Sequence, residues 1–178
     1  MYWINTKDQL ADGPSRYVDW NEEFIPSSIF AKVCANLNIC PTIDVFASKA
    51  NTKCKRWINF GLEGDDNCLG YDFFSMNPLD LENEFLWAFP PKNIVNLAAT
   101  HLFRYYKKNE FAFMFHSFGE WPAGISSLIE MGGRVFDIPN FPISIVPAEF
   151  QLHFEGQLFY GFWNSKIKGT KIVVYKPR

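Results

Sequence analysis

Apolar residues recur at Ile29, Phe30, Val33, Cys34 and Leu37 within PSSIFAKVCANLN, the spacing of one helical face, with Ser27 or Ser28 placed to cap its start. The period then changes. TIDVFAS (Thr42–Ser48) is a short β-branched run that delivers an acid, Asp44, and ends in small residues, so it reads as a buried strand emptying into a loop. EFLWAF, EFAFMFHS and RVFDIP read as further strands. From Lys49 to Asn83 the signals are weaker, with short strands predicted at RWINF and LGYDFF among Gly61, Gly64, Gly70 and Pro78. KNIVNLAATHLFRYYKKN predicts a helix with Ile94, Ala98, His101, Leu102 and Tyr105 on one face. WPAGISSLIEMGG predicts another, stopped by Gly132 and Gly133. LFYGFWNSK and TKIVVYK, joined around Lys168 and Gly169, predict an antiparallel hairpin.

Strands alternate with helices and the chain closes on a hairpin. This order predicts an α/β fold: a mostly parallel sheet with helices on both faces and a C-terminal antiparallel hairpin at its edge. The first twenty residues differ, being polar and broken at Gly13–Pro14. We divide the chain at residue 22, with a short appended segment before it and the α/β domain over 23–178.

Composition narrows the picture. Hydrophobic residues make up 48% and charged residues 20% of the 178, which suits a packed core and excludes a disordered chain. A net charge of -2 gives no global basic field, so any nucleic-acid contact must be local. The local candidates are KANTKCKRW, with Lys49, Lys53, Lys55 and Arg56, and RYYKKN at Arg104–Asn109. Cys34, Cys40, Cys54 and Cys68 form no CxxC pair and the histidines lie far from them, which argues against a metal site and for reduced thiols in an intracellular protein, cytoplasmic or nuclear. No apolar run approaches the ~20 residues that span a bilayer, so no membrane partner is expected.

In open α/β sheets ligands sit beyond the carboxyl ends of the strands. Two predicted strands end in distinctive chemistry: one carries Asp44, and the other runs into Phe89-Pro90-Pro91. Consecutive prolines fix φ and lack N–H groups, giving a rigid extended turn that can hold a flipped-out base or other planar group at a set height.

These segments resemble a known family. IDVFASKANTKCKRW, YDFF, EFLWAFPPKNIV and FMFHSFGEWPAGIS together look like the methylase-like domain in polyproteins of DIRS-type retrotransposons, itself similar to phage-type DNA N6-adenine methyltransferases. The motif positions are Asp44 to Ser48, Asn51, Asp72-Phe73, Phe89 to Pro91, and Trp121-Pro122, covering roughly residues 42–138. INTKDQLADGPSR is similar to the segment that closes the RNase H domain of retroelement polymerases; there Asp12 would be a metal-binding carboxylate, stranded here without its upstream partners.

The resemblance implies S-adenosylmethionine as cofactor, with Asp44, Phe46 and Ser48 under its methionine portion and Asp72 towards its adenosine. It also implies DNA and other polyprotein domains as partners. In the phage enzymes an Asn or Asp before the prolines accepts a hydrogen bond from the target amino group, and an aromatic after them stacks on the base. Here Phe89 and Lys92 stand in those positions. Phe cannot accept that bond, and His116 or Glu120 would be the nearest substitutes. Two readings follow, beside a third of a purely structural piece of a larger polyprotein or a domesticated derivative of one. One is a degenerate domain kept as a nucleic-acid or protein binding module, to which Lys92 suits phosphate contact. The other is an active adenine methyltransferase, which requires an open cofactor pocket beneath Asp44 and Phe46, clear of Phe73, Phe74 and Phe89.

Overall fold

The computed structural model describes residues 25–49, 51–59, 66–117, 120–138 and 170–178. The appended segment with Asp12, the hairpin arm LFYGFWNSK and its turn at Lys168–Gly169 lie outside the described residues.

The described elements are α1 (Ser27–Leu37), β1 (Ile43–Ala47), β2 (Arg56–Asn59), β3 (Cys68–Gly70), β4 (Leu86–Ala88), α2 (Val95–Tyr105), β5 (Phe111–His116), α3 (Ala123–Glu130), β6 (Arg134–Ile138) and β7 (Thr170–Tyr175). They build a seven-stranded sheet in the order β3-β2-β1-β4-β5-β7-β6. The first five strands in that order are parallel, and β7 runs antiparallel between β5 and β6. Among the described strands β1 thus lies inside the sheet, β2 and β3 work outward from it, and β4 returns to its other flank. That reversal is the place where such sheets open a crevice at the strands' carboxyl ends.

The sequence explains the layering. All five residues of β1 and all six of β5 are buried, as befits strands covered on both faces. Alternation then sorts their side chains. Ile43, Val45, Leu86, Ala88, Phe111, Phe113 and Phe115 join Val95, Ala98, Ala99 and Leu102 of α2 and Ile125 and Leu128 of α3 in one core. Trp87, Ala112, Met114, Ile172 and Val174 point the other way, into a second core with Ile29, Phe30 and Val33 of α1. Helices therefore cover both faces. A Cβ at Gly124 would lie 2.9 Å from Ala99 Cβ and Asn96 O, so glycine lets α2 and α3 approach closely.

Four local expectations are corrected. Neither Ser27 nor Ser28 caps α1, which begins at Ser27 on the Pro26 carbonyl and makes no side-chain cap. Residues Lys92–Ile94 form a 3-10 turn, which shifts the phase of α2: Val95, Ala98, Ala99 and Leu102 are buried while Tyr105 is 56% exposed. LGYDFF is strand only to Gly70; beyond it Asp72 accepts the Phe74 N–H at 3.0 Å and caps a 3-10 turn at Phe73–Ser75. The C-terminal strand lies one place in from the edge, because β6 takes the outer position. The stop of α3 is as expected: Gly132 sits at φ 111, with Gly132 N donating to Ile129 O and Gly133 N to Leu128 O, both at 2.9 Å. No helix among the described residues is long and apolar enough to cross a membrane.

Candidate functional site

The switch point of the sheet separates two neighbouring regions at its carboxyl edge. On the β1 side, among the described residues, aromatic side chains pack into the space. Phe46 is buried and meets Phe73 edge-on at 5.2 Å between ring centroids and Phe74 at 5.8 Å. Phe73 in turn stacks on Tyr106 at 5.0 Å and takes the His101 ring at 5.1 Å. Burial lowers the pKa of His101 and raises that of Tyr106 to about 12, so both groups stay neutral in this aromatic wall at ordinary pH.

Asp44 is not at the strand's end. It is the second residue of β1, in register with Trp57 and Trp87, and only 4% exposed. Its Oδ2 accepts the Lys53 N–H at 3.0 Å and its Oδ1 the Phe46 N–H at 3.4 Å. Burial pushes its pKa up to about 6, a rise that the two N–H groups and the Lys53 charge only partly offset. Asp44 therefore clasps the β1–β2 loop to the strand. Ser48 and Asn51 close that loop on itself: Asn51 Oδ1 accepts Ser48 N–H at 2.7 Å, and Ser48 O accepts Asn51 N–H at 3.2 Å.

The expected cofactor contacts are thus engaged elsewhere. Asp44 faces the loop backbone, Phe46 faces the core, Ser48 closes a turn and Asp72 caps one. These residues do not fit S-adenosylmethionine as presented, since an ammonium could reach Asp44 only after the β1–β2 loop opened.

On the other side of the switch point, a cavity of about 230 Å³ opens between the ends of β4 and β5. Phe89, Pro90 and Lys92 from the proline turn meet His116, Glu120 and Trp121 from the end of β5 and the approach to α3. Sequence spacing of 24 or more residues separates the two groups, and the β4–β5 pairing brings them together. Phe89 is 9% exposed; its ring takes the His116 imidazole edge-on at 5.6 Å and belongs to the core on the α1 side. His116 Nδ1 lies 3.1 Å from Thr170 Oγ1, its rung partner on β7, so strand register sets the imidazole's orientation. Asn96 Oδ1 accepts the Gly124 N–H at 3.0 Å and fixes the α2–α3 wall. Trp121 is 41% exposed, packs against Phe115 at 6.3 Å, and has Lys171 Nζ at 5.7 Å from its ring.

The cleft is smaller than the ~300–1,000 Å³ of sites that hold drug-sized ligands, so its scale is one ring system and not a whole nucleotide cofactor. Its walls mix apolar and aromatic side chains with polar ones, among them the Glu120 carboxylate, the Lys92 ammonium and the His116 imidazole. Such a site can stack a planar heterocycle and hydrogen-bond its edge.

The predicted basic residues do not form one patch. Lys92 lies at the cleft, and Lys49 is exposed just past the end of β1. Lys55 and Arg56 lie at the opposite, amino edge, where Arg56 Nη2 pairs with Glu84 Oε1 at 2.5 Å. Lys53 stands in the loop held by Asp44. Trp121 belongs to the quoted resemblance, but its place on the cleft rim, like those of Asn96, Thr170 and Lys171, is set by packing between distant segments and has no signal in the local sequence. Burial raises the thiol of Cys34 to about 11 and that of Cys54 higher still, so neither is a nucleophile at neutral pH. Among the described residues no group of three or more His, Cys, Asp or Glu is arranged to hold a metal ion.

The sequence matches no family model, and no curated protein matches it.

Proposed function

We propose that the chain is a degenerate methyltransferase-like module of the retroelement-polyprotein kind, which binds nucleic acid by seating one unpaired base in the cleft between β4 and β5 and transfers no methyl group. One observation carries this reading: the cleft is open on the β4–β5 side of the switch point, while the β1 side is filled by Phe46, Phe73 and Phe74. A base would stack on Trp121, present its edge to Glu120, and leave its phosphate beside Lys92. Phe89 suits this role better than an Asn or Asp would, because its buried ring closes the floor without an unsatisfied amide.

The second reading is an active S-adenosylmethionine-dependent adenine methyltransferase. What favours it is that Phe89-Pro90-Pro91 follow β4 directly beside β1, as the resemblance implies. It would need Glu120 or His116 as acceptor and a rearranged β1–β2 loop.

Quenching of tryptophan emission by deoxyadenosine monophosphate tests the first reading. Saturable quenching in the wild type that Trp121→Ala removes is the expected result. Transfer of labelled methyl groups to DNA by the wild type would overturn it in favour of the second.

A further inference from the structure

A second cavity, of about 440 Å³, lies at the other end of the sheet and plays no part in the cleft. It is bounded by Leu37 at the end of α1, by Arg134 and Phe136 of β6, and by Val174, Lys176 and Arg178 at and beyond the end of β7. β6 starts, and the antiparallel β7 finishes, at the amino edge of the parallel strands, so this groove and the cleft are at opposite ends of the strands. Three cationic side chains line it, and among the described residues no Asp or Glu does. Arg134, Lys176 and Arg178 are exposed, and among the described residues none of their side chains has an ion-pair or hydrogen-bond partner. The nearest acid along β6, Asp137, is paired with Lys171. Phe136, 36% exposed, lines the groove with the cations and offers it an aromatic ring.

We propose that this groove is a second nucleic-acid contact, which holds a single strand by its phosphates on Arg134, Lys176 and Arg178 and by one base stacked on Phe136. A track of unpaired positive charge beside an exposed aromatic ring is how proteins grip single strands without reading sequence. The groove has the scale of a single nucleotide, so a strand with splayed bases can enter it while a duplex meets only its rim. An acidic peptide would satisfy the cations but would make no use of the ring. The ligand class rests on the reading proposed above; the location does not.

Anisotropy of a fluorescein-labelled oligothymidylate, measured over a salt series, tests the proposal on four proteins: wild type, the triple variant Arg134→Ala, Lys176→Ala, Arg178→Ala, and the single variants Phe136→Ala and Phe136→Tyr. Removing three phosphate contacts lowers the slope of log K against log salt by about 2. Phe136→Ala weakens binding roughly tenfold, and Phe136→Tyr, which keeps the ring, restores it. Thermal melting of each variant separates loss of contact from loss of fold. An unchanged slope in the triple variant overturns the proposal, as does a wild type that binds no oligomer. Binding of an abasic oligomer or of polyglutamate as tight as that of oligothymidylate overturns the role of Phe136. Titration with deoxyadenosine monophosphate in the same proteins keeps the two sites apart. Oligomer binding lost with Trp121→Ala but intact in the triple variant leaves the cleft reading and removes this one. Oligomer binding through the groove, with no mononucleotide binding in the cleft, does the reverse.

Discussion

Two neighbouring strand ends in this sheet have come to opposite states. At β1, the carboxylate of Asp44 is buried against the loop backbone and the ring of Phe46 is packed into a wall with Phe73, Phe74 and Tyr106. Past β4 and β5, only one strand away, prolines and a half-exposed tryptophan border an open cleft. Both regions belong to the same switch-point crevice, so topology alone does not make a site. What decides is whether the side chains at the strand ends turn into the core or stay at the edge. Large aromatics turn inward when a partner ring is available, since each buries area and gains an edge-to-face contact of ~0.5–1.5 kcal/mol.

The comparison is broken most severely at Phe73, the 1%-exposed centre of the filled side. Phe73→Ala removes a ring that touches Phe46, Phe74, His101 and Tyr106, and we expect a loss of about 3–5 kcal/mol in urea unfolding. Binding of a mononucleotide in the cleft should survive wherever the variant is folded, because Phe73 lines no part of it.

Asp44 sharpens the comparison through pH. Its pKa rises on folding to about 6, so the native state holds its proton more tightly than the unfolded chain does. Stability from this group is therefore fully present below the unfolded value near 4, declines as pH rises to about 6, and is level above that, a total of about 3 kcal/mol. Subtracting the pH profile of Asp44→Asn from that of the wild type should isolate this decline. A flat difference between pH 4 and 6 would mean that the carboxylate is solvated and the β1 side more open than described.

On the open side the expected effects fall on binding. Trp121→Ala should cost about 1–3 kcal/mol in mononucleotide affinity. It should also lower the melting temperature, since Trp121 packs against Phe115, but by less than Phe73→Ala does, since it is 41% exposed. The smallest effect belongs to Arg56. Its pair with Glu84 is part-exposed at the amino edge, so Arg56→Ala should change stability by less than about 1 kcal/mol and mononucleotide binding not at all.

Much of the fold was legible because the buried strands are apolar runs: IDVFA, LWA, FAFMFH and TKIVVY each became a strand, and Gly132–Gly133 ended α3 where expected. The failures have physical causes. A short β-branched run does not say which of its residues reaches the edge, so Asp44 is expected there and is found three residues before the end of β1. The 3-10 turn after the prolines rotates α2, turning Val95 inward and Tyr105 outward. The cleft was half legible: Phe89-Pro90-Pro91 marked one wall, and His116 and Glu120 were weighed as its neighbours. The other half depends on β7 pairing with β5 across 54 residues, which puts Thr170 on His116 and Lys171 over Trp121, and no local pattern encodes that. The basic groove was missed for the same reason, since Arg134 and Lys176 are far apart in sequence and adjoin only through the β6–β7 pairing.

The most direct test of the central contrast is calorimetry on the wild-type protein, titrated separately with deoxyadenosine monophosphate and with S-adenosylmethionine. A filled β1 side and an open cleft predict saturable heat with the mononucleotide and none with S-adenosylmethionine at millimolar concentration. Micromolar binding of S-adenosylmethionine that Asp44→Asn abolishes would contradict the account, because it would require the loop clasped by Asp44 to open and the aromatic wall behind it to give way.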